Sequence, residues 1–156
     1  MDNFKIDFGS LNVDQLGFVF KDIEKQAKIM EDIFGFSKFI FGEKDTITFQ
    51  FRGKESKVTS QMAFSRIGNT QIELIKWIDG ECSYKEFLDQ GREGLHHIAI
   101  YIEDTDSYIK EFEKKGIAIL QSGVVFTTKF TYMDSEKEFG FIVELLEKIK
   151  RRKKKE

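Results

Sequence analysis

Two periodicities organise this chain: apolar residues recur every third or fourth position in two segments and alternate with polar ones in most of the rest. The first half opens with the apolar run Leu16 to Phe20, of strand length, and then reaches Asp22, a residue suited to N-capping. Beyond it Ile23, Ala27, Met30 and Phe34 fall at i, i+4, i+7 and i+11, the stripe of an amphipathic helix that Gly35 would end. The aromatic residues Phe18, Phe20, Phe34 and Phe36 belong to the core on this reading. Strand vocabulary follows in "FSKFIFG", "TITFQFRG", "SQMAFSRIG" and, after a Gly68-Asn69 turn, "TQIELIKW". The second half repeats the order: a run from Ile98 to Ile102, Asp104 as cap, a stripe of Tyr108, Ile109 and Phe112, a stop at Gly116, then "IAILQSG", "TKFTYMDS" and "FIVELLEK".

Set side by side, "DQLGFVFKDIEKQAKIMEDIFGF" from Asp14 and "HHIAIYIEDTDSYIKEFEKKGIA" from His96 run in parallel without a gap at an offset of 82 residues. Such self-similarity predicts an internal repeat, each unit reading β-α-β-β-β, in an α+β protein. The modules span about 12–77 and 94–147, within one domain of residues 1–147. The linker "IDGECSYKEFLDQGREG" joins them, with a helical turn expected around Tyr84 to Asp89.

Composition narrows the class. Apolar residues make up 40% of the chain, and charged residues, 33%, are mixed along it, as in a globular protein. One cysteine, Cys82, excludes an internal disulfide framework, and no apolar window approaches the length of a membrane span. A cytoplasmic protein is expected, with no role for a membrane. The formal charge of −2 hides an asymmetry: "KIKRRKKKE" at 148–156 holds seven basic residues and one Glu, leaving 18 basic against 26 acidic elsewhere, a net of −8. The run is short and has no interleaved aromatics to stack on bases, so it is expected to be a solvated basic C-terminal tail rather than a nucleic-acid contact.

Chemistry enters through two glutamates and the chain's only two histidines. "QIELIKW" and "FIVELLEK" each place one glutamate, Glu73 and Glu144, inside an apolar frame at the end of a module. A buried carboxylate without a partner costs several kcal/mol, so such residues are normally paired or metal-bound. The same 82-residue offset pairs Gln15 with His97, so each module contributes one polar residue on its first strand and one glutamate on its last. If the modules pack about a pseudo-twofold axis, Gln15, Glu73, His97 and Glu144 converge in a trough between them. Three oxygen donors and one imidazole suit a divalent ion such as Co, Ni, Zn, Mn or Mg. In "GLHHIAI" strand parity sends the two histidines to opposite faces, with His97 toward the trough and His96 toward the helix side.

This repeat and these residues resemble the vicinal oxygen chelate superfamily, also called the glyoxalase/bleomycin resistance/dioxygenase superfamily, over roughly Asp14 to Lys148. The resemblance implies two βαβββ modules forming a half-open barrel, with metal ligands at Gln15, Glu73, His97 and Glu144. Within the family, "NTQIELI", "GLHHIAIYIED", "KKGIAILQSG" and "FTYMDSEKEFGFIVELLE" are most similar to methylmalonyl-CoA epimerase and its relatives. Those epimerases usually carry histidine at the first ligand position, whereas the set Gln, Glu, His, Glu is that of one type of glyoxalase I. By resemblance the protein is a metal-dependent isomerase that abstracts a proton next to a carbonyl, with Glu144 as the base that also contacts the metal. The expected substrate is an acyl-CoA thioester, methylmalonyl-CoA first. The alternative is a thiol hemithioacetal, isomerised as by a glyoxalase I-like lactoylglutathione lyase.

Two further readings follow from the family. A ring-opening dioxygenase needs two histidines and a carboxylate around Fe(II), and Gln15 removes one of them. A metal-free binding protein of the bleomycin resistance kind has no use for a full ligand set. Epimerisation needs a second acid, and Gln61 on the preceding strand is not one. Lys129, Lys137 and Arg92 are candidate holders of a CoA phosphate or a glutathione carboxylate, and a homodimer is expected from the family.

Overall fold

In the computed structural model, which describes residues 5–150, each half of the chain builds one module around its own helix. The first comprises β1 (Gln15–Val19), α1 (Ile23–Phe34), a two-residue β2 (Ile40–Phe41), β3 (Asp45–Phe51), β4 (Lys54–Ile67) and β5 (Thr70–Asp79). The predicted linker helix is α2 (Ser83–Asp89). The second module comprises β6 (Gly94–Tyr101), α3 (Thr105–Lys114), β7 (Ile119–Val125), β8 (Thr128–Met133), a short unpredicted α4 (Glu136–Phe139) and β9 (Ile142–Lys148). Residues 151–156, most of the basic tail, lie outside the described residues. Among the described residues no helix is long and apolar enough to cross a membrane.

Both long helices start as the sequence predicts. The carboxylate of Asp22 accepts from the Lys25 backbone N–H at 3.0 Å, and that of Asp104 from Ser107 at 3.2 Å. Each cap satisfies one of the N–H groups that a helix start leaves unpaired. Gly35, at φ 70°, ends α1 in a left-handed conformation that costs glycine nothing. Ile23 and Ala27 on α1 bury against Ile72 and Leu74 of β5, while Phe112 on α3 buries against Val143 and Leu145 of β9. Phe34 departs from the predicted core: as the last residue of α1 it lies 69% exposed, because the helix stops before its ring meets the sheet.

Nine strands form one sheet in the order β2-β4-β3-β7-β8-β9-β6-β1-β5, and β4 also pairs with β5, so the sheet curls into a barrel-like arrangement. Its register carries the internal repeat. β1 runs parallel to β5 and β6 parallel to β9, while β1 and β6 pair antiparallel across the module boundary. Gln15 stands opposite Ala99 and Gly17 opposite His97, with Leu16 facing Ile98 between them. A pseudo-twofold axis with an offset of 82 residues demands this arrangement. Glu73 lies beside Gly17 on β5, and Glu144 beside Ala99 on β9, in equivalent places.

Candidate metal centre

The central strands β5, β1, β6 and β9 therefore bring the predicted donors into two adjacent rows. One row reads Glu73, Gly17, His97, and the other Gln15, Ala99, Glu144. All four polar side chains are buried, and Gln15, Glu73 and Glu144 line a cavity of about 420 Å³ inside the curled sheet. His97 sits beneath them, fully inaccessible, with Nε2 3.3 Å from Gln15 Oε1 and 3.1 Å from Glu144 Oε2. The amide nitrogen of Gln15 donates to Gln71 Oε1 at 2.6 Å, which turns its carbonyl oxygen toward the imidazole.

Burial sets the electrostatics. It pushes the Glu73 carboxyl up to about 7; the charge of Glu144 adds to that rise, while His97 and Gln15 oppose it. Burial also penalises a charged His97, but Glu144, and then Glu73, outweigh it and hold the imidazole above its ordinary range. Two carboxylates and one imidazole in an enclosed, low-dielectric group are a charge arrangement that a divalent cation would offset. Glu144 Oε2 is a second mark of fit: although close to His97, it makes no well-formed hydrogen bond in its buried position. Among the described residues no three His, Cys, Asp or Glu side chains are already arranged as a metal cage. Glu73, His97 and Glu144 thus share the site without being gathered into such a cage.

Two features of the site escape the sequence pattern. The first is Gly17. A Cβ there would lie 1.9 Å from Cε1 and 2.2 Å from Nε2 of His97, so the absence of a side chain makes the space the ring occupies. Its pseudo-symmetric counterpart, Ala99, faces the flexible Gln15 instead and keeps its methyl. The second is the relation of the two histidines, where the parity expectation fails. The β1–β6 register slips between Gly17 and Phe18, which pair with His97 and Leu95, leaving His96 as an extra residue in a bulge. The rings consequently meet, with Nδ1 of one 3.0 Å from Nδ1 of the other.

His96 is buried among Tyr84, Phe87 and Tyr132, and burial drives it well below the ordinary histidine range, with the charge of His97 adding to the effect. The neutral ring can therefore accept a hydrogen bond from His97 Nδ1–H. In the neutral His97 ring that arrangement leaves the Nε2 lone pair facing Gln15 and Glu144, as a ligating histidine requires.

The remaining walls of the cavity are apolar and aromatic: Ile47, Phe49, Val58, Met62, Phe130 and Leu146 among them. Tyr84 and Tyr132 join hydroxyls at 2.8 Å beside the donors. The three cations proposed for an anionic substrate stand elsewhere. Arg92 and Lys137 line a separate cavity with α2 and α4, where Arg92 is paired with Glu136, and Lys129 reaches outward to Asp106.

Comparison with known proteins identifies the family and the fold. The sequence model of the glyoxalase/bleomycin resistance protein/dioxygenase superfamily matches residues 14–133. No curated protein matches the chain in sequence. Among solved structures, methylmalonyl-CoA epimerase from Mycobacterium tuberculosis is similar at TM-score 0.64 and 16% identity, over 94% of this chain and 95% of that one. A hypothetical protein from Bacillus halodurans C-125 is similar at 0.62 and 19%, over 92% and 99%. A Streptomyces coelicolor methylmalonyl-CoA epimerase variant in complex with 2-nitronate-propionyl-CoA is similar at 0.59 and 17%, over 92% and 100%. At these identities the structures share a fold with this chain, and the family match extends over most of both modules. The chain belongs to the glyoxalase/bleomycin resistance/dioxygenase superfamily.

Proposed function

We propose that the protein is a metal-dependent isomerase that removes and returns a proton on the carbon next to a carbonyl. Gln15, Glu73, His97 and Glu144 hold one divalent ion, and Glu144 is the base. The observation that carries this reading is the convergence of two buried carboxylates, an imidazole and an amide at an apolar cavity large enough for a small acyl group. A bound divalent ion supplies the charge that stabilises the oxyanion developing as the C–H bond breaks. The chain supplies the rest. Phe49, Val58 and Phe130 keep water from the reacting carbon, which strengthens every electrostatic interaction there. Glu144 lines the cavity, which brings its carboxylate within reach of a proton on a bound substrate.

For the substrate, the reading takes an acyl-CoA thioester, methylmalonyl-CoA first. Methylmalonyl-CoA epimerases share the fold, and one of them is in complex with an acyl-CoA analogue. Two observations favour a second reading, a lactoylglutathione lyase acting on a thiol hemithioacetal. The donor set contains Gln15, and apart from Glu73 and Glu144 the only carboxylates lining the cavity are Glu43 and Asp45, both exposed at its mouth.

Deuterium exchange at C2 of methylmalonyl-CoA in D2O, followed by mass spectrometry, tests the reading with protein reconstituted in turn with Co, Ni, Zn and Mn. Metal-dependent exchange is expected, lowered about 10²- to 10⁴-fold in Glu144→Gln, the range for loss of a general base. Exchange that ignores the metal or survives the substitution would remove the proposed mechanism. No exchange from the thioester, with isomerisation of methylglyoxal plus a thiol, would select the lyase.

A further inference from the structure

A second cavity, of about 360 Å³, lies behind His96 and shares no lining residue with the first. It is far larger than the roughly 30 Å³ that one water takes up in the liquid. Its inner wall holds polar groups that the chain leaves unanswered. His96, 2% exposed, and Ser83, 3% exposed, both line it, and neither His96 Nε2 nor Ser83 Oγ has a well-formed hydrogen bond among the described residues. The Ser83 carbonyl is close enough to act on the His96 ring, yet it makes no bond of good geometry with Nε2. The Gln121 carbonyl accepts from the Ser83 backbone N–H at 3.0 Å, and the amide nitrogen of Gln121 is buried without a partner as well. With Nδ1 of the neutral His96 ring accepting from His97, the ring carries its hydrogen on Nε2, which is therefore a donor. Donors buried in this way call for an oxygen acceptor.

Charge decides what carries that oxygen. Three cations, Arg52, Arg92 and Lys137, and three carboxylates, Glu86, Asp134 and Glu136, line the cavity. Arg52 is held between Glu86 at 2.9 Å and Asp134 at 3.5 Å. Arg92 is paired with Glu136, and its guanidinium lies 4.4 Å from the Phe87 ring centroid; the same ring packs on His96 at 5.3 Å. Lys137, on α4, has no ion-pair partner among the described residues. A lining of balanced charge with one unpaired cation suits a monoanion, whereas three carboxylates repel a dianion more strongly. Phe87, Leu120 and Ile142 make part of the wall apolar, a surface for a short hydrocarbon tail.

We propose that this cavity binds a small organic monocarboxylate, whose oxygens accept from His96 Nε2 and Ser83 Oγ while Arg92 and Lys137 supply the positive charge. The site goes beyond the isomerase reading and does not depend on it. The contact of 3.0 Å between the Nδ1 atoms of His96 and His97 nevertheless joins it to the first cavity. An oxyanion on His96 Nε2–H polarises the ring and makes Nδ1 a better acceptor, so occupancy is felt at His97.

The chain has only two histidines, so long-range 1H–15N correlation spectra of the full chain labelled with 15N-histidine read each ring separately, with His96→Gln assigning the signals. Sodium butyrate is titrated at fixed pH and ionic strength, with chloride and inorganic phosphate as controls. A saturable shift of His96 Nε2 is expected with butyrate alone, and the His97 signals should follow at the same midpoint. Arg92→Gln is expected to weaken butyrate about 10- to 150-fold, the span for one hydrogen bond to a charged group, and Ser83→Ala about two- to tenfold. Lys137→Gln changes only an exposed side chain, so its loss of about two- to fivefold is readable whether or not Arg92→Gln folds. Three results would each overturn the assignment: no saturable shift at His96, butyrate affinity equal to wild type in the charge variants, or phosphate bound as tightly as butyrate. Shifts confined to His97 would put the anion in the first cavity and overturn it too.

Discussion

Replacing Gly17 by alanine tests whether the donor group is built around the His97 ring. In a strand with spare room the change should stabilise the protein by about 0.5–1 kcal/mol, since alanine loses less freedom on folding than glycine. Here the added Cβ would fall 1.9 Å from Cε1, 2.2 Å from Nε2 and 2.5 Å from Nδ1 of His97, deep inside contact distance. The ring has nowhere to retreat: Tyr132 packs on it at 4.8 Å between centroids, His96 contacts Nδ1, and Gln15 and Glu144 close the other edge. Overpacking a rigid core site costs about 1–3 kcal/mol, and the depth of this overlap puts Gly17→Ala near the top of that range. The sign of the effect is thus opposite to the one that backbone entropy alone gives. Displacing the imidazole should also weaken divalent-ion binding by about 10- to 100-fold, as loss of ligand orientation does elsewhere. Urea denaturation and isothermal titration with Co or Zn read the two effects. A variant as stable as the wild type or more so, with unchanged metal affinity, would refute the argument that Gly17 makes room for the ring.

Other consequences are simpler. Tyr84→Phe leaves the buried Tyr132 hydroxyl without its partner at 2.8 Å and should cost about 1–3 kcal/mol in urea unfolding. Removing both hydroxyls should cost less than the sum of the single changes; additivity would mean that the pair does not interact. Burial pushes the Cys82 thiol up to about 11 and shields it completely, so at pH 8 an aromatic disulfide reagent should modify it quickly only in denaturant. Fast modification of the native protein would contradict that burial.

Much of the fold is legible in the sequence because two modules repeat one pattern, and each repeat checks the other. Asp22 and Asp104 cap, and the stripe Ile23, Ala27 buries, for local reasons that spacing alone reveals. The four polar residues are visible for a related reason: a glutamate in an apolar strand is conspicuous, and the 82-residue offset turns two separate oddities into one constellation. What the sequence hides is set by register. Parity assumes an unbroken strand, so it cannot foresee the bulge that turns His96 onto His97. Gly17 reads as an ordinary strand glycine until the antiparallel pairing places it opposite an imidazole.

The proposed isomerase stands or falls on whether Gln15, Glu73, His97 and Glu144 hold one ion. Diffraction from crystals of the protein grown with Zn, recorded above and below the metal's absorption edge, asks this directly. One anomalous peak is expected, bonded to His97 Nε2 and to oxygens of the other three residues at about 2.0–2.2 Å. A peak at any other residues, or none at this group in zinc-saturated protein, would contradict it.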